Sequence, residues 1–179
     1  MRYSVSKIAT WAIMSLCVIH LNLAEAKDVA IEEASMDKQL MCLAQNIYYE
    51  AGMEQFRGKV AVAQVTINRA EHSNFPKTIC GVVHQRTQIA GKTICQFSWV
   101  CNPVGKIKYF SDAWEESLMV AKQVLESDLR MESMSEALYF HAAHINPHWG
   151  LERLARIGGH IFYSSDPAVR KKSLTTNQK

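Results

Sequence analysis

The residue with the clearest chemical potential is Glu50, which follows Tyr48 and Tyr49 at the end of an apolar run. At about 100° per residue, a helix places this acid about 80° from the centre of the apolar stripe, at the border between core and solvent. A carboxyl group half-buried there loses hydration of its charged form, so its pKa rises. Such a group can give a proton to a leaving oxygen, as in glycosidic cleavage. An ordinary glutamate at the rim of an amphipathic helix has the same spacing, and from the spacing alone that is the favoured interpretation.

The apolar stripe that positions Glu50 predicts a helix from about Asp37, with Ser35 as its N-cap. Its apolar residues recur at i, i+3, i+4, i+7, i+8 and i+11, and they are Leu40, Leu43, Ala44, Ile47, Tyr48 and Ala51. Gly52 weakens or ends this helix. Residues 56–70 are apolar on nearly all sides. Their β-branched content suggests a strand, but their length favours a buried helix, and we predict a helix.

Shorter elements follow along the chain. Thr78 is a predicted cap for a short helix, and Ser111 or Asp112 begins a longer one. Residues 87–110 predict a long irregular stretch around a small extended piece at 96–99, and loops of that length in a domain are usually functional or disordered. Two short strands are predicted, at 137–141 and 157–163.

The beginning of the chain is typical of an export signal. Basic residues precede an apolar stretch of about 16 residues and the small-x-small motif Ala24-Glu25-Ala26. The stretch is shorter than the ~20 residues that a membrane-spanning helix needs. We therefore expect an exported protein of the periplasm or cell-wall space, with no membrane span after cleavage. The predicted organisation is a signal peptide (1–26), a linker (27–36), a catalytic domain (37–165) and a basic flexible tail (166–179).

Composition sets the remaining limits. The chain has 179 residues, of which 48% are hydrophobic and 21% charged, and this excludes disordered and low-complexity classes. The length suits one domain of roughly 100–200 residues. A formal net charge of +3 is too weakly basic to indicate a nucleic-acid partner.

Four cysteines lie outside the predicted signal peptide: Cys42, Cys80, Cys95 and Cys101. An even number in an exported chain favours disulfides, with three possible connectivities. Cys95 and Cys101 are close enough to close a short loop, which leaves Cys42 with Cys80. Four buried thiols are the alternative. The C-x2-C spacings of a zinc site do not occur.

Ordered sequence blocks across residues 40–163 carry a resemblance. They are CLAQNIYYEA (42–51) with Glu54, GKVAVAQV (58–65) with Asn68 and Arg69, FPKTIC (75–80), CQFSW (95–99), ALYFH (137–141), NPHW (146–149) and IGGHIFY (157–163). Together they closely resemble the SleB/CwlJ family of cell-wall hydrolases. The resemblance implies an α+β, mainly α, lysozyme-like single domain with a small β element, related to lytic transglycosylases. Peptidoglycan glycan strands are the implied partner. The sequence identifies no protein regulator.

By this resemblance, Glu50 aligns with the catalytic glutamate of the family. A single glutamate would cut the bond between N-acetylmuramic acid and N-acetylglucosamine and leave a 1,6-anhydro ring, which dispenses with the second carboxylate of paired-acid hydrolases. The expected substrate-binding residues are Glu54 (as a supporting residue), Gln96, Ser98, Trp99, Tyr139 and His141. Asn68 and Arg69 are interpreted as structural support. The chain has Gly52-Met53 where relatives commonly carry Arg-Gly, so a basic side chain that could contact the substrate is missing.

Several alternatives stay open at this point. The same substrate suits a muramidase-type hydrolase, an N-acetylmuramoyl amidase or a non-catalytic peptidoglycan-binding module. His141, His144, His148 and His160 invite a zinc-peptidase hypothesis, but Asn146-Pro147 interrupts any helix that would align the first three, and no H-E-x-x-H occurs. A cysteine hydrolase would pair Cys95 with His141. We expect no metal and no other cofactor.

Overall fold

The structure is a computed structural model that describes residues 32–103 and 105–164. The chain divides into two units, Met1–Lys38 and Gln39–Lys179, and apart from residues 32–38 all the described residues belong to the second. The predicted signal peptide and the predicted tail lie outside the described residues, as does the first half of the predicted linker. Within the described part of the chain, no helix is long and apolar enough to cross a membrane.

Helix α1 includes residues 32–51, so it is already present five residues before the predicted start near Asp37. The residues at 32–36 are mostly glutamate and alanine, which are good helix formers. Its inner face buries Leu43, Ala44 and Ile47 completely, as the apolar stripe predicts. Helix α2, Phe56–Glu71, is buried along most of its length. The choice of helix over strand for this segment is confirmed.

Two further helices begin at the predicted caps. Helix α3 is Ile79–Val83, and the Thr78 hydroxyl accepts a hydrogen bond from the Gly81 backbone N–H at 3.0 Å. After the four-residue helix α4, Ser98–Cys101, comes helix α5, Asp112–Glu126. The Ser111 hydroxyl caps α5 by accepting from the Trp114 N–H at 3.3 Å. Each cap satisfies a backbone donor that the first helical turn leaves free.

A hairpin replaces part of the predicted irregular stretch. Strands β1, Arg86–Ile89, and β2, Lys92–Cys95, are antiparallel. Ala90 and Gly91 join them with φ values of 49° and 77°, as a two-residue hairpin turn requires. The extended piece predicted at 96–99 is wrong from Ser98 onward, where α4 begins. A disulfide between Cys95 and Cys101 closes this region.

A second sheet has the order β3-β5-β4 and is antiparallel throughout. Strand β3 is Tyr139–Ala142, β4 is Glu152–Ile157 and β5 is His160–Ser164; a short 3-10 helix, Glu132–Met134, precedes β3. The single strand predicted at 157–163 is in fact the end of β4, a turn at Gly158-Gly159, and β5. Most of β4 was not predicted, because its charged residues lie at the edge of the sheet and do not alternate cleanly with apolar ones.

Helix α2 lies between two hydrophobic clusters. Its Val60, Ala63 and Ile67 pack in the cluster that α1, α3 and α5 also form. Its Val62 and Val65 pack in a second cluster with Phe162 of β5 and other residues near the sheet. The helix therefore has apolar neighbours on both sides, which explains why its sequence is apolar nearly all round. A disulfide between Cys42 and Cys80 joins α1 to α3 on the helical side.

Candidate active site

Glu50 lies in the last turn of α1, next to Ala51, the final helical residue. Ile47 and Ala51 on the same helix are buried, and Glu50 is partly buried beside them. Its side chain lines a cavity of about 330 Å³. The other lining residues come from α2, the segment after β2, strand β3 and the loop before β4: Arg69, Gln96, Phe97, Ser98, Tyr139, Phe140 and Trp149.

The cavity changes the acidity of Glu50. Burial raises the pKa of this carboxyl from its usual 4.5 to about 7, and the positive charge of Arg69 opposes that rise. Desolvation dominates because the charged form loses water and has no direct ion-pair partner within 4 Å among the described residues. Near neutral pH the side chain is therefore close to half protonated. It can give a proton and take one back without a large energetic cost in either direction.

Arg69 is the cationic residue of the cavity. Only 3% of its surface is exposed, and its Nε–H donates to the Leu138 carbonyl at 2.7 Å. The guanidinium carbon lies 5.4–5.8 Å from the ring centroids of Phe75, Phe97 and Tyr139. Burial lowers the pKa of Arg69 to about 10, so the side chain stays charged at neutral pH. From the sequence, Arg69 was expected only to support the structure, and its place in the cavity wall was not predicted. The available signal was an arginine close after a mostly apolar run, residues 60–67.

Three of the predicted substrate-binding residues line the cavity with Glu50: Gln96, Ser98 and Tyr139. Gln96 and Ser98 stand on either side of Phe97, whose ring is buried and anchors the segment in the core. An amide, two hydroxyl groups and an indole ring therefore line the same cavity as one carboxyl group. Such a mixture of apolar walls and a few convergent polar groups is typical of a small-molecule site.

Trp99 occupies a different place from the one expected. Its ring stacks on Tyr49 with centroids 4.5 Å apart, and its Nε1–H donates to the Asn46 side chain at 3.2 Å. These contacts tie α4 to α1, and Trp99 is not among the residues that line the cavity. The tryptophan at the cavity is Trp149, which is 45% exposed. The sequence offered the NPHW block as a signal but assigned no role to Trp149.

Glu54 also lies apart from the Glu50 cavity. Its carboxylate accepts hydrogen bonds from the Gly159 backbone N–H at 3.1 and 3.2 Å, and its Oε1 is 3.7 Å from Nδ1 of His160. A Cβ on Gly158 would overlap Oε2 of Glu54, and the φ of Gly158 is 55°. Glu54 therefore holds the turn between β4 and β5 and lies outside the cavity of Glu50, whereas the sequence placed it among the substrate-binding residues. It lines a separate cavity of about 490 Å³.

His141 stands behind the cavity wall. Its Nδ1–H donates to the Ala142 carbonyl and its Nε2 accepts from the Tyr163 hydroxyl, both at 2.9 Å. The ring of His141 lies 5.3 Å from that of Trp149, and Tyr139 contacts Trp149 at 6.4 Å. Tyr139 and His141 thus share one face of β3, as strand alternation predicts.

The two alternatives that relied on histidine and cysteine lose support. In residues 32–103 and 105–164, no three His, Cys, Asp or Glu side chains converge on a position suited to a metal ion. The disulfide prediction is confirmed in both pairs, Cys42–Cys80 and Cys95–Cys101. Because Cys95 is bonded, it has no thiolate to act as a nucleophile, and the cysteine-hydrolase alternative is wrong.

The arrangement of helices and sheet matches solved structures of one class. The catalytic domain of the Bacillus cereus SleB protein superposes with a TM-score of 0.54 at 23% identity, over 72% of this chain and 91% of that one. The catalytic domain of the germination-specific lytic transglycosylase SleB from Bacillus anthracis gives 0.51 at 24%, over 70% of this chain and 93% of that one. The predicted α+β, lysozyme-like fold is confirmed.

The amino-acid sequence identifies the family to which the chain belongs. The chain belongs to the Cell Wall Hydrolase family, whose sequence profile matches residues 53–163. Spore cortex-lytic enzymes are similar over 133 residues, at 27% identity for Bacillus subtilis strain 168 and 29% for Bacillus cereus. The aligned region is 70% of this chain but 37% and 43% of those proteins, so the chain spans about two fifths of their length. Glu50 stands three residues before the profile match.

Proposed function

We propose that this chain cleaves the glycan strands of peptidoglycan as a lytic transglycosylase, with Glu50 as the catalytic residue. One observation carries the proposal: Glu50 is the sole carboxyl group among the described residues that line its cavity, and its pKa is about 7. Membership of the Cell Wall Hydrolase family and the spore cortex-lytic relatives support the substrate class.

The proposed reaction uses the same carboxyl group twice. Protonated Glu50 gives its proton to the glycosidic oxygen between N-acetylmuramic acid and N-acetylglucosamine. The bond from that oxygen to muramic C1 breaks, and N-acetylglucosamine leaves with a new 4-hydroxyl group. The resulting Glu50 carboxylate then takes the proton from the muramic C6 hydroxyl as O6 attacks C1. The 1,6-anhydro ring closes, Glu50 is protonated again, and no water is consumed.

The position of Glu54, the acid nearest to Glu50 in the sequence, favours closure of the anhydro ring over hydrolysis. Paired-acid glycosidases need a second carboxylate near the bond that is cut, as a nucleophile or as a base for water. Glu54 is the nearest acid in sequence, and its two oxygens are engaged by the turn at Gly159. It also belongs to the lining of the other cavity. A single glutamate that acts as acid and then base needs no such partner.

The remaining lining residues suit a sugar chain. The Gln96 amide and the Ser98 hydroxyl can bond to N-acetyl and hydroxyl groups, and the exposed Trp149 ring offers an apolar face for a sugar ring. We assign substrate positioning to these residues and to Tyr139. His141 would contribute indirectly, through its contact with Trp149.

We also propose that the protein works outside the cytoplasm, in the periplasm or cell-wall space. Its proposed substrate lies there, and its two disulfides suit an oxidising compartment. Cleavage after Ala26 by the export machinery stays a prediction. The N-terminal sequence of the mature protein, recovered from a cell fraction, tests it directly.

The decisive experiment digests purified sacculi in water enriched in oxygen-18 and measures the products by mass spectrometry. We expect 1,6-anhydro-muramic ends without the heavy isotope, and no products from Glu50→Gln. The exposed Glu136→Gln is the matched control and should cut normally. Labelled reducing ends would indicate a muramidase, and free stem peptides an amidase. Binding to sacculi without products from the wild-type protein would indicate a binding module.

A further inference from the structure

Part of the buried Arg69 guanidinium has no hydrogen-bond partner among the described residues. Its Nε–H bonds to the Leu138 carbonyl, but its Nη1 is buried and has no hydrogen-bond partner among the described residues. No carboxylate in residues 32–103 or 105–164 lies within 4 Å of the guanidinium. A buried donor without a partner costs stability, and such a group in a native structure calls for an explanation.

The surroundings of Arg69 keep it charged in spite of burial. The rings of Phe75, Phe97 and Tyr139 lie around the guanidinium, and ring faces attract a cation. Because the charge is held away from water, solvent screens it weakly, and its field extends further than that of a surface arginine. The group within reach of that field is the carboxyl of Glu50, which lines the same cavity.

We propose that Arg69 is a positioning residue that acts on Glu50 through its charge, by stabilising the carboxylate that remains after Glu50 has given its proton to the substrate. This inference rests on the proposed function and deepens it. The second half of the reaction needs Glu50 as a base, and a buried carboxylate without any nearby cation would be costly to form.

The separation between the two groups matters for this role. A cation in direct contact typically lowers a carboxyl pKa by about 1–3 units, which would leave Glu50 ionised and unable to act as an acid. Arg69 and Glu50 do not form a contact ion pair. The titratable side chains that line the cavity with Glu50 are Arg69 from α2 and Tyr139 from β3, and the arginine is the cation of this pair.

The test measures the pKa of Glu50 directly, by carbon-13 NMR of its carboxyl group, with Glu50→Gln to assign the signal. Arg69→Gln removes the charge and keeps an amide that can donate to the Leu138 carbonyl, while Arg69→Lys keeps the charge. We expect the Glu50 pKa to rise by about one unit in Arg69→Gln and to stay near the wild-type value in Arg69→Lys. The alkaline limb of the pH–activity profile should move to higher pH by the same amount in Arg69→Gln.

An unchanged Glu50 pKa in Arg69→Gln would overturn the inference. If the role of Arg69 is purely structural, Arg69→Gln should lower the activity at every pH and leave the alkaline limb of the pH–activity profile in place. If the Arg69 variants do not fold, the wild-type protein still tests the inference. The chemical shift of its Arg69 Nε–H should change with pH around 7, and in Glu50→Gln the same chemical shift should not depend on pH in that range. A flat wild-type resonance contradicts the coupling. These titrations do not depend on cleavage, so a failure of the proposed function is seen separately, as full activity of Glu50→Gln.

Discussion

Replacement of Glu50 by glutamine should stabilise the folded protein at alkaline pH while it removes the proposed catalytic acid. Burial raises the pKa of Glu50 from 4.5 to about 7. Each unit corresponds to about 1.36 kcal/mol, so the ionised side chain costs the folded state about 3 kcal/mol relative to the protonated one. Glutamine has nearly the same shape and never ionises, so the variant does not bear this cost.

The sign follows from proton binding. Because the folded state holds the Glu50 proton more tightly than the unfolded state does, the stability that this group contributes is full below about pH 4.5. It is lost as the pH rises through about 7. The difference in unfolding free energy between Glu50→Gln and wild type should therefore grow in favour of the variant by about 3 kcal/mol from pH 4 to pH 9.

Urea denaturation with both disulfides intact, repeated at steps across this range, measures the difference. Taking the difference between the two proteins cancels the titrating groups that do not interact with Glu50. Glu136→Gln, at an exposed position, should run parallel to wild type. If the Glu50→Gln curve also runs parallel to wild type, Glu50 is not in a poorly hydrated site, and both the acid role and the inference about Arg69 lose their basis.

Three further outcomes follow from the contacts. Gly158→Ala should destabilise the protein more than Gly91→Ala, because both glycines have positive φ but only at Gly158 would a Cβ meet a carboxylate; thermal unfolding compares them. Loss of the Cys42–Cys80 disulfide, with a separation of 38 residues, should cost about 4 kcal/mol, against about 2 for the other disulfide, with a separation of 6. Trp149→Ala, made in the inactive glutamine variant, should weaken binding to sacculi by about two- to tenfold in co-sedimentation.

Each of these expectations has an outcome that contradicts it. Equal costs for the two glycine variants would mean that backbone strain alone matters and that the Glu54 contact gives way freely. Equal losses for the two disulfides would contradict the loop-length argument. Trp149→Phe keeps an aromatic face and should bind nearly as well as the parent protein. If Trp149→Ala binds equally well, the indole does not contact the glycan.

Helices α1, α3 and α5 were accessible from sequence because their signals are local. An apolar stripe marks α1, and hydroxyl residues at 78 and 111 mark the caps of α3 and α5. The hairpin Arg86–Cys95 was not accessible, because every residue of β1 is exposed and leaves no alternation to detect. Strand β4 was missed for a related reason, since it joins the sheet at an edge where its charged side chains can face water.

The candidate site divides in a similar way. Glu50 could be identified because the block 42–51 resembles a family motif that contains a catalytic glutamate; its aromatic and apolar neighbours in the chain were only consistent with poor hydration. The sequence could not show that Trp149, and not Trp99, lies at the cavity, because this depends on contacts across the fold. Trp99 donates a hydrogen bond to Asn46, 53 residues away, and the Trp149 ring contacts Tyr139 of β3. The charge of Arg69 gains significance only when rings from three separate segments surround it.

The bond between Cys95 and Cys101 has a consequence for the site as well as for stability. It closes a ring around Gln96, Phe97 and Ser98, and all three contribute to the wall beside Glu50. A reduced chain lacks that covalent loop, so this wall has more conformations to lose when a ligand binds. Under the proposed function, oxidation of Cys95 and Cys101 therefore orders the wall before a sugar binds, and the redox state of this pair becomes a determinant of affinity for the glycan.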